Sequence, residues 1–231
     1  PITIKEYLLP NRSFKNADDV YQRQETFMQG GNLTTTDGRI QDFRLITPWE
    51  AIADSQDRRC YLITRGNLAT LPPLRDYLTQ QGKQDEEQVI QVLEQVLQSL
   101  EFLHGLKFQL GSGYIQQGLS HGKITLDTLL IGVQGQTFFI YLSDLSIWED
   151  LFDPSLTQTT NKTPQQDLED LGLVGFDLLV GDETEPSGEP KDPTNDQYWP
   201  SVETYLKQFI LKLAGRRGQF DSATIAREEL R

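Results

Sequence analysis

The chain has 231 residues, a formal net charge of −13, 37% apolar residues and 24% charged ones. That length supports one domain, or one domain of two lobes, with a sizeable core. The negative charge argues against nucleic acid and anionic membrane as partners, because both would be repelled. The single cysteine, Cys60, excludes an internal disulfide and a cysteine-based metal centre.

No apolar run is long enough for a membrane span, and no signal-peptide pattern opens the chain. A reducing, cytoplasmic setting is therefore expected. The chain starts at Pro1 without a methionine, which suggests a piece of a longer polypeptide.

Residues 2–9, ITIKEYLL, alternate β-branched with other residues and predict a short strand. Residues 16–29 predict a helix with an Asn/Asp-rich start, buried through Val20, Phe27 and Met28 and stopped by Gly30 and Gly31. Two strands follow, over 43–54 and 59–65, with Pro48 marking a bulge or an edge in the first. Residues 85–104 carry the strongest helical signal: Val89, Val92, Leu93, Val96, Leu97, Leu100 and Leu103 repeat at three- and four-residue spacing. Asp85, Glu86 and Glu87 at its start favour the helix dipole.

A Gly-rich loop over 105–119 leads to SHGKITLDTLLI (120–131), followed by two strands, TLLIGV and FFIYLSD. A polar stretch precedes an apolar helix at 166–180. An acidic Pro/Gly loop then leads to two C-terminal helices near 200–214 and 221–230. The order predicts an α+β fold: a small β-rich piece, 1–66, and a mainly helical remainder, 67–231, within one domain spanning 1–231.

Taken together, the motifs resemble the protein kinase fold, in particular bacterial Ser/Thr kinases of the eukaryotic-like type. ITIKEYLLP is similar to the kinase strand written VAIKEYLP, and this places Lys5 where kinases keep the lysine that contacts nucleotide phosphates. YLSDLS is similar to the strand that ends in Asp-Phe-Gly, with Asp144 as its acid and Leu145 in the apolar role of Phe. QQDLEDLGLVGFDLLVG resembles the central helix written SDIYSLGVVLYELLTG.

Against the catalytic-loop pattern HRDLKPENILI, the stretch HGKITLDTLLI keeps His121. It has Gly122 for the Arg, Lys123 for the catalytic Asp and Thr128 for the metal-binding Asn. An ammonium cannot accept the proton of a substrate hydroxyl as a carboxylate does. A threonine hydroxyl is a poor replacement for the amide oxygen that ligates the second Mg²⁺.

The first two strands and the glycine-rich loop of the family have no counterpart before Lys5. The helix that should carry the partner Glu of Lys5 places Gln24 at that position, with Glu25 turned about 100° away.

These departures imply a truncated small lobe and a catalytically inactive pseudokinase domain, not an enzyme, that serves as a regulatory or protein-interaction module. Its partner would be a protein or another domain of the same polypeptide, with no cofactor and no metal. Lys5 and Asp144 would form a salt bridge, mutual or with near neighbours, across an empty cleft, or else a vestigial ATP/Mg²⁺ site, while His121 and Asp167 would hold the turn together.

Lys123 suggests a sharper possibility, an ammonium locked on Asp144 in place of the metal. The insertion between His104 and His121 suggests either a plug folded into the cleft or an apolar surface for a partner. The alternative function is an atypical nucleotide-dependent enzyme, a phosphoryl or nucleotidyl transferase, that uses Lys5 and Asp144.

Overall fold

The structure is a computed structural model that describes residues 1–8, 44–46, 50–54, 59–109, 115–146, 162–181 and 187–231. The expected helix at 16–29, Gln24, Pro48, the middle of the insertion and the start of the acidic loop lie outside the described residues.

The N-terminal part is a three-stranded antiparallel sheet in the order β1–β3–β2, formed by β1 (Ile2–Leu8), β2 (Glu50–Asp54) and β3 (Arg59–Arg65). The register pairs Thr3 with Thr64 and Lys5 with Leu62. Because side chains alternate across a strand, Thr3 and Lys5 share one face. Ile2 and Ile4 project from the other.

The helical part is built on α2 (Glu86–Gly105) and α3 (Pro164–Val180). Asp85 caps α2 by accepting from the Gln88 amide, and the Gln88 side chain accepts from the Asp85 amide. This reciprocal box satisfies two of the donors exposed at a helix start. The Val/Leu stripe of α2 is buried throughout and packs on α3 and on the last helix, α5 (Ala223–Leu230).

In α3, Thr163 caps the start and Pro164 occupies the first turn, where its missing N–H costs nothing. α3 crosses α4 (Thr204–Leu213) so closely that a Cβ on Gly172 would lie 2.3 Å from the Ala214 nitrogen. The short helix α1 (Leu74–Gln81) follows β3 and packs on β6 (Leu129–Gln134).

Between α2 and α3 lie two hairpins. The pair β4 (Lys107–Gln109) and β5 (Ile115–Gln117) falls inside the stretch expected to be loop. Three-residue strands are too short for an alternating pattern to register in the sequence. The second pair, β6 (Leu129–Gln134) and β7 (Thr137–Leu142), follows the motif at 120–131. Leu45 bridges to Leu142 in parallel, with Ile46 N donating to Leu142 O at 2.8 Å, and so ties the N-terminal part to this hairpin.

Candidate functional site

The site lies where β1 faces the β6–β7 hairpin. Lys5 Nζ meets Asp144 Oδ1 at 2.6 Å, a contact between residues 139 positions apart. Both side chains are partly exposed, at 45% and 38%. Beside the pair is a cavity of about 390 Å³, walled by Ile46, Leu68, Leu71 and Leu130, with Thr3 and Lys5 above and Asp127 at its edge.

Asp144 is the one non-glycine residue with positive φ (56°) among those described. Asp tolerates this left-handed region better than most side chains. Ser146 therefore does not need the conformation that a glycine would supply at its position. Its amide instead donates to His121 O at 2.9 Å, while Leu145 is fully buried in the core between them.

The turn at 121–128 is held from beneath by Asp167 of α3. This carboxylate is fully buried and accepts from His121 N and Gly122 N, each at 2.7 Å. His104 Nε2, at the end of α2, donates to it at 2.9 Å. Nothing in the sequence signals this last contact, since a histidine at a helix end is ordinarily a capping or packing residue.

His121 is itself completely buried. Its Nε2 donates to Ser143 O at 2.8 Å, and its Nδ1 accepts from Lys123 N at 3.3 Å. Both contacts require the neutral Nε2–H tautomer, and burial holds its pKa below the usual histidine value.

Gly122 takes φ +75°, and a Cβ there would lie 2.3 Å from Ser146 Oγ and 3.1 Å from Lys162 Cγ. Glycine at 122 and serine at 146 are thus two sides of one contact.

Lys123 is exposed and forms no ion pair with Asp144 among the described contacts; Lys5 occupies the Asp144 carboxylate. The suggested Lys123–Asp144 lock is therefore corrected. Thr128 is buried, and its hydroxyl closes its own turn, donating to Lys123 O at 2.7 Å and accepting from Thr125 N at 3.0 Å. Turned inward this way, it does not fit as a ligand for a second metal ion. Among the described residues no group of three His, Cys, Asp or Glu side chains could hold a metal. Of the two described carboxylates that line the cavity, Asp127 is held by Arg75 and Asp144 by Lys5.

Asp127 pairs with Arg75 of α1, Nε to Oδ1 at 2.8 Å. The sequence reading missed this link, because 52 residues separate the partners. Of the described residues that line the cavity, none comes from β4 or β5. No helix among the described residues is long and apolar enough to cross a membrane.

No protein-family model matches the chain, and no curated protein matches its sequence. Solved structures do match. The kinase domain of PknI from Mycobacterium tuberculosis aligns with a TM-score of 0.63 at 11% identity, covering 98% of this chain and 84% of that one. A doubly substituted form of the same domain gives 0.61 at 12% identity, with 97% and 82% covered. The fold is protein kinase-like.

The small lobe is reduced, and the described strands before α1 number three. The likeness also corrects the expectation that the chain is not an enzyme. That expectation rested on Lys123, Thr128, Gln24 and the lack of a glycine-rich loop before Lys5, yet nearly the whole chain shares the frame of solved kinase domains. The cleft is not shut by Lys123, and Lys5 and Asp144 are brought together within it.

Proposed function

We propose that the chain is a kinase-related, nucleotide-binding domain, a single unit over 1–231 whose small lobe ends near Gly66. Lys5 contacts the phosphates of a nucleoside triphosphate, and Asp144 faces the cation that accompanies them. Transfer of a phosphoryl or nucleotidyl group is the reaction class.

The reading rests on the Lys5–Asp144 contact at 2.6 Å beside the cavity. A half-exposed ion pair adds little stability. Phosphates can replace the carboxylate at Lys5, and a cation can replace the ammonium at Asp144. One carboxylate completed by phosphate oxygens suits Mg²⁺, which rarely has an all-protein cage. Bound there, the ion would neutralise phosphate charge. The proposal departs from the expected absence of a cofactor because the pair and the cavity adjoin.

A thermal-shift titration with ATP and ADP, with and without Mg²⁺ or Mn²⁺, tests it. At a hundredfold excess over Kd, binding contributes about 2.7 kcal/mol, a rise of roughly 5–10 °C for a domain of this size. Asp144→Ala is expected to abolish the metal dependence, and Lys5→Met to weaken the response with and without metal. No shift at millimolar nucleotide with either metal would refute the reading. Incorporation of labelled phosphate or nucleotide measures the transfer itself.

A regulatory role through a protein partner is supported by a different observation. Ile2, Ile4 and Ile52 are exposed at 58%, 56% and 43%, and the strand register places them on the face of the sheet away from Thr3 and Lys5. The charge of the chain favours a protein over nucleic acid there. Ile2→Lys with Ile52→Lys should abolish partner capture and leave the nucleotide response intact. Capture unchanged by both substitutions would exclude this face.

A further inference from the structure

We infer that Thr3 sets the base selectivity of the cavity by occupying the backbone groups that would otherwise read a base, so that adenine and guanine nucleotides are accepted alike. The inference rests on the nucleotide reading above.

The walls formed by Ile46, Leu68, Leu71 and Leu130 suit a flat, largely apolar ring. Purines differ along their edges: adenine presents an amino donor where guanine presents a carbonyl acceptor. A site separates them only through donors and acceptors held in fixed orientation, because a mismatched polar group is left unpaired. Two such fixed groups adjoin Thr3, the Gly66 carbonyl and the Leu68 amide, on the connector between β3 and α1.

Thr3 satisfies both. Its Oγ1 donates to Gly66 O at 3.1 Å and accepts from Leu68 N at 3.3 Å. The connector is further pinned by Gly66 N, which donates to Pro1 O at 3.0 Å. Of the other described hydroxyls that line the cavity, Ser143 donates to Thr128 O, and Thr64 pairs with Thr3 in the register. A hydroxyl rotates to donate or to accept, so Thr64 meets either purine equally. Lys5 addresses phosphates, which all nucleoside triphosphates share.

Isothermal titration of the full chain with ATP and GTP tests the inference, alongside Thr3→Val and Thr3→Ser. Valine keeps the β-branched shape that suits the strand and removes only the oxygen. The original chain and Thr3→Ser should bind the two nucleotides within about threefold of each other. Thr3→Val frees one acceptor and one donor and should favour ATP about tenfold, the worth of one neutral hydrogen bond.

Amide hydrogen exchange provides a second readout. Leu68 N–H should be protected in the original chain and faster in Thr3→Val. A tenfold preference in the original chain, an unchanged ratio in Thr3→Val, or an unprotected Leu68 amide each overturns the assignment of Thr3 while leaving nucleotide binding in place. Failure of the original chain to bind either nucleotide overturns both readings together.

Discussion

Replacing Gly122 with alanine tests the link between the motif at 120–131 and the residues after Asp144. The backbone at Gly122 has φ +75°, which costs an L-residue about 1–2 kcal/mol. The added Cβ would lie 2.3 Å from Ser146 Oγ and 3.0 Å from Ser146 Cβ. Ser146 is buried and its amide is tied to His121 O, so it has little freedom to retreat. Overpacking of this kind costs about 1–3 kcal/mol.

Together the two terms predict a loss of roughly 2–5 kcal/mol, or about 4–20 °C in Tm for a domain of this size. Chemical denaturation of Gly122→Ala, Ser146→Gly and the double variant separates them. Removing the serine side chain should relieve the steric part and leave the conformational part, giving a coupling of about 1–3 kcal/mol. A Gly122→Ala chain within 0.5 kcal/mol of the original on the scale of ordinary surface changes, or additive single effects, would refute the reasoning.

Asp167→Asn should cost about 3–5 kcal/mol by denaturation, because it weakens a fully buried carboxylate that accepts from two backbone amides and from His104. An effect under 1 kcal/mol would mean that the turn does not depend on it. Gly172→Ala should cost about 3 kcal/mol or more, since its Cβ would meet the Ala214 backbone, which cannot swing aside as a side chain can; a stable chain with unchanged Tm would refute the close crossing.

Asp177 has its pKa pushed up by burial to about 6 from 3.8, against the opposing pull of Arg75 and Lys191. Its charged form therefore opposes folding above pH 6, and the penalty fades as pH falls toward 4. Asp177→Asn should stabilise the chain at pH 7.5 by about 1–3 kcal/mol, with the advantage gone at pH 4.

His121 acts in the other direction. Its pKa is lowered by burial, so the unfolded chain takes up a proton that the folded chain refuses, and stability is lost as pH drops below 6.5. In Asp177→Asn the acid-side slope below pH 6.5 should be steeper, because the opposing contribution of Asp177 is removed. Parallel slopes would show that Asp177 does not titrate as described.

The sequence alone determined the elements that rest on periodicity and local chemistry. The stripe from Val89 to Leu103 could only bury itself as a helix, and Asp85 and Gln88 mark its start. The alternation of residues 2–8 made β1 a strand, with Thr3 and Lys5 on one face. The order of motifs, from ITIK through HGKITLDT to SDLS, was enough to indicate the fold before any coordinate, because each depends on residues close together in the chain.

What sequence could not decide was which distant side chains would meet. The sequence left two ammonium groups as partners for Asp144, Lys5 across the cleft and Lys123 in the place of the catalytic Asp; Lys5 reaches the carboxylate and Lys123 remains exposed. His104 on Asp167, Arg75 on Asp127, and Thr3 on the 66–68 connector likewise join residues more than fifty positions apart. Such pairs carry no periodic or spacing signal. Only tertiary packing, which sets the distance between α2 and α3 and between β1 and the β6–β7 hairpin, decides whether two charges or a hydroxyl and a carbonyl lie within bonding range.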